Sequence, residues 1–389
     1  MKTSKLTGRT FCFQPEELAI ADGRDLVLIG ERQYRLKTAV RKQDNGWLLP
    51  LDDVLRLLAP DIEAQVQDGN VAITYEGRAY QVPAETDEAG NELIDLKYFL
   101  CDLAGLPFAV LKDEFMVISL NGKQPEYTPR KVRFLDWKLQ EKHVGELFKT
   151  VWIPEANRLN SYRLYVPSDW ENLKRKKMLI FLHGAGGNED NCFERSEGKM
   201  QYLAEKHGYL VFAPNSYVHR SNFGGSVPPS GQFKKPGFVD AEGKPQYYSE
   251  ADLKENRKAQ EWLVQLLDQV MEEYQVDPDA VMLMGNSMGG IGTFYLGGEM
   301  PERFQGLIPC GAIPEPKLVD WKKYGEKEIL YIAGTEDHNG YELMVKDSNY
   351  IAAQGVHIRR LTVGGGVHSY AWAAELEEVF RFSDSLCEK

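Results

Sequence analysis

The stretch VMLMGNSMGGIGTFYLGG, residues 281–298, runs from an apolar segment through several glycines into a second apolar segment. This pattern predicts a buried strand, a sharp turn and a helix. Residues 285–289, GNSMG, match G-x-S-x-G, in which the turn holds the serine in strained backbone geometry with its hydroxyl exposed at a sheet edge. Side chains at Gly285 or Gly289 would collide across such a turn. We therefore predict that Ser287 is a nucleophile.

A histidine base is expected to serve this serine. A serine hydroxyl is a poor nucleophile near neutral pH, so it needs a base within reach and an acid that fixes the tautomer of that base. In sites of this type the chain order is serine, acid, histidine, and His338, His357 and His368 follow Ser287. His357 opens the strand HIRRLTV at the wrong end of a sheet, and His338 directly follows a candidate acid. His368, in the loop GGGVHSYAW after the last strand, is the predicted base.

The acid is expected after the preceding strand, EILYIAG. Glu336 and Asp337 both follow it in the segment GTEDHNG. Asp337 is the predicted acid because of its place in the loop that starts at Gly334. Glu336 stays open as the alternative.

Backbone donors for an oxyanion are expected where the strand KMLIFL ends. Residues 183–187, HGAGG, form a turn of small residues that lets backbone amides approach a substrate carbonyl. The predicted donors are the backbone N–H groups of Ala185 and Met288. His183, which closes a strand before the nucleophile, is predicted to be a buried, hydrogen-bonded structural residue.

The fold class follows from the alternation of elements after about residue 145. Apolar strands (GELFKTVWIP, SYRLYVP, KMLIFLHG, YLVFAPN, AVMLMGN, GLIPCGA, EILYIAG and HIRRLTV) alternate with helical stretches. Such alternation predicts a mostly parallel, doubly wound sheet with helices on both faces. The best of the predicted helices covers residues 252–274. Its apolar stripe consists of Trp262, Leu263, Leu266, Leu267 and Val270.

The front of the chain contains a repeat. Residues 47–78 align without a gap on residues 92–123, at an offset of 45. Each copy has leucines at helical spacing, then two short strands joined by an acidic turn, and a partial third copy, DLVLIGERQYRL, precedes them. The pattern resembles the small repeat domain named after the N-terminal region of copper amine oxidases, also known as a stalk module. The resemblance covers residues 20–123 and implies an accessory α+β domain, predicted as residues 1–125, with sugar binding as an alternative. No histidine occurs in residues 20–123, so no copper is expected.

The catalytic half, predicted as residues 126–389, carries a second resemblance. LHGAGGNED, VDPDAVMLMGNSMGGIGTFYLGGEMPERF, AGTED and GGGVHSYAW, in this order, resemble the α/β-hydrolase fold of esterases that include feruloyl and acetylxylan esterases and polyhydroxybutyrate-depolymerase-like enzymes. The resemblance implies hydrolysis of a carboxylic ester through an acyl-enzyme on Ser287, with acetyl or feruloyl esters of plant-polysaccharide fragments favoured. A prolyl-oligopeptidase-like serine peptidase is one alternative, although the roughly 140 preceding residues cannot form a seven-bladed propeller. A catalytically silent binding protein is the other.

Residues 215–252 form a long segment, rich in Gly, Pro and aromatic residues, without helical or strand period. It starts where ligands bind in open α/β folds, which suggests a functional loop. Its aromatic residues are expected either to wall an acyl or aryl pocket or to anchor the loop: Tyr217, Phe223, Phe233, Phe238, Tyr247 and Tyr248. Trp372, four residues after His368, is expected to line the same cleft or to start the core face of the last helix.

Composition narrows the class of partners. The formal net charge of -12 argues against binding to nucleic acid or to anionic membranes. The chain has no long apolar run and no signal-peptide pattern, which predicts a cytoplasmic location unless a leader was removed. Five scattered cysteines without a CxxC pair indicate neither a disulfide framework nor a zinc site. We therefore expect a small-molecule or oligosaccharide ester as substrate and no metal or organic cofactor, with the oligomeric state left open.

Overall fold

The chain forms two compact units that alternate along the sequence. The computed structural model describes residues 16–30, 32–59, 61–67, 69–140, 143–154, 157–216, 221–224, 234–239, 241–247 and 249–388. The first unit comprises residues 1–142 and 148–161, and the second comprises residues 143–147 and 162–389. The predicted division into residues 1–125 and 126–389 stays a prediction.

The first unit consists mainly of antiparallel strands. Its strands are β1 (Glu17–Ala21), β2 (Leu26–Ile29), β3 (Arg32–Arg35), β4 (Arg41–Gln43), β5 (Gly46–Pro50), β6 (Ile62–Gln67), β7 (Asn70–Tyr75), β8 (Arg78–Thr86), β9 (Glu92–Asp95), β10 (Phe108–Leu111), β11 (Phe115–Ser119) and most of β12 (Gly145–Ile153). Its helices are α1 (Leu51–Leu58) and α2 (Pro129–Lys138), with a π-helical segment at Tyr98–Leu103. The strand orders are β10-β11-β1-β2-β3-β12 and β4-β5-β9-β8-β7-β6. Only β3 and β12 among the described pairs of this unit are parallel.

The predicted repeat is confirmed at the level of secondary structure. The first copy contains α1 followed by the hairpin β6–β7, and the second contains the π-helical segment followed by the hairpin β10–β11. The second hairpin turns at Lys112 and Asp113, whose φ angles are 53° and 56°. The resemblance of this region to the amine-oxidase stalk domain stays a prediction.

The second unit contains a mostly parallel sheet, as predicted. Its strands are β13 (Arg158–Val166, from residue 162), β14 (Lys177–Leu182), β15 (Tyr209–Pro214), β16 (Lys234–Val239), β17 (Pro245–Tyr247), β18 (Val281–Asn286), β19 (Gly306–Cys310), β20 (Glu328–Gly334) and β21 (His357–Val363). Its helices are α3 (Asn191–Glu194), α4 (Lys199–His207), α5 (Glu250–Glu273), α6 (Met288–Glu299), α7 (Tyr341–Ala353), α8 (Ala371–Ala374) and α9 (Leu376–Cys387). The sheet order is β13-β15-β14-β18-β19-β20-β21, with β13 antiparallel to its neighbour.

Strand order places the candidate site. β14 lies between β15 and β18, so the connections after β14 and β15 run in opposite directions along the sheet. β14, β18, β19, β20 and β21 are parallel neighbours, and their carboxyl ends therefore lie along one edge. The strands β14, β15, β18 and β19 are buried along their whole length, which explains their continuous apolar sequences. Loops after these strands meet at a topological switch point, where open α/β sheets bind ligands.

Helix α6, which follows Ser287, is buried from Met288 to Gly298. Its glycines allow close approach of neighbouring backbone. A Cβ at Gly292 would lie 2.5 Å from the carbonyl oxygen of Asn222, and one at Gly298 would lie 2.6 Å from the ring of Tyr324. At these two positions the helix packs closely against a neighbouring backbone and a neighbouring ring.

Helix α5 confirms the predicted amphipathic helix. It begins at a capping box in which Ser249 and Asp252 bond to each other's backbone N–H groups, and its predicted apolar stripe is buried. Among the described residues, no helix combines the length and apolar character needed to cross a bilayer.

The expectation that residues 215–252 lack strand structure was wrong. β16 and β17 pair as an antiparallel hairpin, and Gly243 between them has a φ of 78°. Their sequences, KKPGFV and PQY, have no apolar alternation. Backbone hydrogen bonds alone define a strand pair, so a hairpin without an apolar face leaves no periodic signal.

Asp347 is a buried carboxylate on α7. It is 9% exposed, and its Oδ2 atom has no hydrogen-bond partner among the described residues. Burial, with a smaller contribution from the negative charge of Glu315, raises the pKa of Asp347 from 3.8 to about 6. The folded state therefore binds this proton more tightly than the unfolded chain does. Stability is lost as the pH rises towards 6 and Asp347 ionises.

We predict that Asp347→Asn raises the melting temperature at pH 7.5 by a few degrees and leaves it almost unchanged at pH 4. Asparagine mimics the neutral carboxyl and removes the cost of a buried charge, and about 1 kcal/mol shifts Tm by about 2–4 °C in a domain of this size. Scanning calorimetry at both pH values measures the effect, with Glu261→Gln on the exposed side of α5 as the control. An equal shift at both pH values would contradict the explanation.

Candidate active site

Ser287 occupies a strained turn between β18 and α6. Its backbone has φ 58° and ψ -115°, a left-handed conformation that is rare for residues with a side chain. Its N–H donates to the carbonyl of Cys310 at 2.8 Å, and its carbonyl accepts from the N–H of Ile291 at 2.9 Å. Burial raises the pKa of the adjacent Cys310 thiol well above its ordinary value, which makes that thiol a poor nucleophile.

Glycines make this turn possible. A Cβ at Gly285 would overlap the carbonyl oxygen of Gly289, and a Cβ at Gly289 would overlap the carbonyl oxygen of Leu182. A Cβ at Gly290 would lie 2.7 Å from the carbonyl oxygen of Cys310. The predicted collisions across the turn are confirmed.

Asp337 and His368 come together at the ends of neighbouring strands. The Nδ1 atom of His368 lies 2.9 Å from each carboxylate oxygen of Asp337. The Asp337 side chain is fully buried and that of His368 is 11% exposed. Asp337 also accepts a hydrogen bond from the N–H of Asn339 at 2.8 Å. When Nδ1 carries the proton that it donates to Asp337, Nε2 is left as an acceptor.

Glu336 and His357, two of the other candidates, differ in position from Asp337 and His368. Glu336 is exposed. His357 is the first residue of β21 and pairs with Glu328, the first residue of β20, at the amino end of the sheet. Its position agrees with the expected one.

Gly311 lies between the Asp337–His368 pair and the serine turn. Its φ is 55°, and a Cβ there would lie 3.0 Å from Oδ2 of Asp337, 3.2 Å from Nδ1 of His368 and 3.4 Å from Oδ1 of Asn286. Asn286 directly precedes Ser287, so the two halves of the candidate site converge on this glycine. The Asn286 side chain is buried, and its Oδ1 has no hydrogen-bond partner in the part of the chain that the structure describes. Sequence reasoning missed Gly311, whose one signal is its place directly after a buried strand.

The turn after β14 lies beside Ser287. The N–H of Gly187 donates to the carbonyl of Gly184 at 3.0 Å, which closes the turn, and Ala185 is exposed within it. A Cβ at Gly184 would lie 3.4 Å from Cβ of Ser287. Met288 is the first residue of α6, where helical N–H groups have no partner within the helix and the helix dipole is positive.

His183 supports the same turn and is a structural residue, as predicted. It is 2% exposed, and its Nε2 accepts the N–H of Ser216 at 3.0 Å. Nδ1 therefore carries the proton and donates to the carbonyl of Gly184 at 2.8 Å.

Two residues directly after Asp337 also contact the His368 ring. The rings of His338 and His368 meet edge to face, with centroids 4.4 Å apart. The Nδ2 atom of Asn339 lies 3.3 Å and 3.4 Å from the two ring nitrogens of His368. In the sequence, the one signal for these contacts is adjacency to Asp337.

Two of the candidate substrate contacts are core residues. Trp372 is 1% exposed, packs its ring 4.5 Å from that of Phe181, and donates its indole N–H to the carbonyl of Ser369 at 3.0 Å. This burial agrees with the core alternative for Trp372 and not with cleft lining, because α8 turns the side chain towards the sheet. Phe223 is 2% exposed and meets the ring of His183 edge to face at 5.0 Å, as an anchor would.

Two of the remaining aromatic candidates lie on the β16–β17 hairpin, and the other three lie outside the described residues. Tyr247 lies on β17 and is 44% exposed. Phe238 lies on β16. Tyr217, Phe233 and Tyr248 lie outside the described residues.

Comparison with known proteins agrees with this architecture. Residues 177–338 match the family model described as alpha/beta hydrolase fold. The second unit has the α/β hydrolase fold. The candidate residues Ser287, Asp337 and His368 follow one another in the chain order expected of nucleophile, acid and base in α/β hydrolases.

Individual relatives bear the names of esterases and hydrolases. A bifunctional acetylxylan esterase/xylanase of Neocallimastix patriciarum is 29% identical over 175 residues, which cover 45% of this chain and 21% of the relative. The S-formylglutathione hydrolase of Mus musculus is 25% identical over 163 residues, covering 42% of this chain and 55% of the relative. A solved ferulic acid esterase from Anaeromyces mucronatus has a TM-score of 0.47 at 14% identity, covering 63% of this chain and 94% of that one. The chain thus spans between a fifth and about half of the length of these two curated relatives.

We predict that Gly311→Ala slows labelling of Ser287 by a fluorophosphonate probe at least about tenfold. The added Cβ would press on both members of the acid–base pair and add left-handed strain, and a misplacement of about 1 Å can cost as much as 100-fold. Gly325→Ala is the matched control, because Gly325 has a φ of 53° but nothing within 4 Å of its Cβ position. Equal labelling rates in the two variants would show that Gly311 does not position the pair.

Proposed function

We propose that this chain is a serine hydrolase of carboxylic esters that works through an acyl-enzyme on Ser287. The contact of His368 Nδ1 with both oxygens of Asp337, next to the strained Ser287 turn, carries this proposal. It supplies what a serine nucleophile needs, namely a base held in one tautomer.

The reaction has two steps. Ser287 Oγ attacks the carbonyl carbon while Nε2 of His368 takes the hydroxyl proton, and the same proton then goes to the departing alkoxide. Water attacks the acyl-enzyme with His368 again as base, which releases the acid and restores Ser287. Asp337 stays ionised throughout and stabilises the imidazolium that forms twice in the cycle.

Oxyanion stabilisation is assigned to the backbone N–H groups of Ala185 and Met288. The turn at Gly184 lies against Ser287, and Met288 starts α6, whose dipole favours negative charge at this end. A donor of this kind contributes about 3–4 kcal/mol to the transition state in other enzymes.

The proposed substrates are acetyl or feruloyl esters of plant-polysaccharide fragments. The sequence similarity to an acetylxylan esterase/xylanase supports this class. S-formylglutathione is the second candidate, supported by the similarity to three mammalian S-formylglutathione hydrolases at 25–27% identity. Both substrates undergo the same acyl transfer and differ in leaving group, an alkoxide or a thiolate.

The two alternatives from the sequence lead to different observations. A serine peptidase would cleave a peptide anilide at a rate close to that for an ester with the same acyl group, whereas an esterase would cleave the anilide far more slowly. A catalytically silent binding protein would not react with a fluorophosphonate at Ser287. The buried Asp337 paired to His368 argues against silence, because a buried carboxylate is costly without a role.

We predict that Ser287→Ala and His368→Ala each lower the hydrolysis of p-nitrophenyl acetate at least about 10³-fold, as expected when a member of a catalytic triad is removed. Steady-state rates at pH 8 test this. Ser385→Ala and His357→Ala are matched controls, since both residues are exposed and neither contacts the site. Full activity in either triad variant would refute the assignment.

We also predict a preference among acyl donors. The proposal expects kcat/KM for an acetylated xylo-oligosaccharide or methyl ferulate to exceed that for S-formylglutathione and for a peptide anilide by at least about tenfold, because substrate contacts act on the transition state. A parallel assay of all four compounds, with Ser287→Ala as the blank, measures the ratios. A higher kcat/KM for S-formylglutathione than for both oxygen esters would instead support the thioester function.

A further inference from the structure

Asp337, His338 and His368 form a compact cluster of metal-ligating groups. One ligand atom from each residue lies within 4.8 Å of the other two. Asp337 is buried, His338 is exposed and His368 lies between these extremes, so the cluster opens to solvent on the His338 side. Catalysis as proposed above uses Asp337 and His368 but gives no role to His338.

The donor set fits a divalent transition ion. Two imidazole nitrogens and one carboxylate oxygen are typical zinc ligands, at about 2.0–2.2 Å each, and a water can complete a tetrahedron. Two such ligands on one tetrahedral ion lie about 3.4 Å apart, as bond lengths of about 2.1 Å require. The pair of Asp337 and His368, 2.9 Å apart, needs only a small expansion to reach that separation. The planes of the two imidazole rings are inclined at 63°, so the rings do not stack face to face.

We infer that Zn²⁺ binds to Asp337, His338 and His368 and reversibly inhibits the enzyme. The inhibitory effect rests on the proposed function, in which His368 is the base. If the ion binds Nε2, the lone pair that would accept the Ser287 proton is coordinated to the metal instead. If it takes Nδ1, the ring proton must sit on Nε2, and the ring again cannot accept a proton. In both cases the bound ion leaves Ser287 without a base. No covalent bond forms or breaks, so removal of the ion restores the base.

His338 is the residue that distinguishes inhibition by this cluster from nonspecific binding. Without it, one imidazole and one carboxylate remain, and affinity falls steeply with loss of a ligand. His357 offers the matched control, since it is an exposed histidine with Glu326 and Glu328 as neighbours but no second histidine among its described neighbours. Cys101, a half-buried thiol, is unchanged in every variant.

Binding is measured first, by calorimetric titration of metal-free protein with Zn²⁺. Wild type, Ser287→Ala and His357→Ala are expected to bind one Zn²⁺ with similar affinity, and His338→Ala to bind it at least about tenfold more weakly. Equal affinity of wild type and His338→Ala would overturn the site. Unfolding of His338→Ala is checked by its melting temperature, and His338→Gln gives a second variant that also lacks the imidazole.

Inhibition is measured next, with each variant's rate of p-nitrophenyl acetate hydrolysis normalised to its own metal-free rate. Zn²⁺ is expected to abolish wild-type activity, EDTA to restore it, and the inhibition constant of His338→Ala to rise at least about tenfold. Undiminished hydrolysis by protein with one bound Zn²⁺ would overturn the inhibition. If the chain lacked esterase activity, the metal-free rate would be absent while zinc binding would still depend on His338, so failure of the two proposals is distinguishable.

Discussion

The left-handed backbone at Ser287 is the constraint on which the rest of the site depends. A residue with a side chain in this conformation carries strain of about 1–3 kcal/mol, and it persists only where the surroundings fix it. Here the N–H bond to Cys310 and the carbonyl bond from Ile291 hold the turn on both sides. The space for it exists because Gly285 and Gly289 lack side chains. The position of the Ser287 hydroxyl is therefore fixed by backbone contacts between β18, β19 and α6.

A second steric feature holds the Asp337–His368 pair. Asp337 is fully buried, where an isolated carboxylate would be unstable, and the N–H of Asn339 and the ring of His368 compensate its charge. Gly311 leaves just enough room for this pair beside Asn286. Hydrogen-bonding and close packing thus act together, so the geometry of the pair is transmitted to the serine turn through one glycine.

The parts that sequence predicted are those set by local pattern or by topology. Buried parallel strands give continuous apolar runs, and loops after such strands meet at one sheet edge, so Asp337 and His368 could be paired from chain order alone. Gly311 could not be found this way, because its requirement arises from side chains on three separate segments of the chain, at Asn286, Asp337 and His368. The contact of His338 with His368 depends on a ring orientation within a turn. The burial of Trp372 depends on which way the short helix α8 rotates, and neither of these is encoded by period or spacing.

Helix α6 has a consequence for how this protein can diversify. Because glycines along it abut the backbone of Asn222 and the ring of Tyr324, almost any larger residue there would disturb the core. Sequence changes compatible with this fold would therefore fall in the surrounding loops, such as the turn at Ala185, while helix α6 stays unchanged. Helix α6 therefore tolerates few substitutions, whereas the loops around it can accept many.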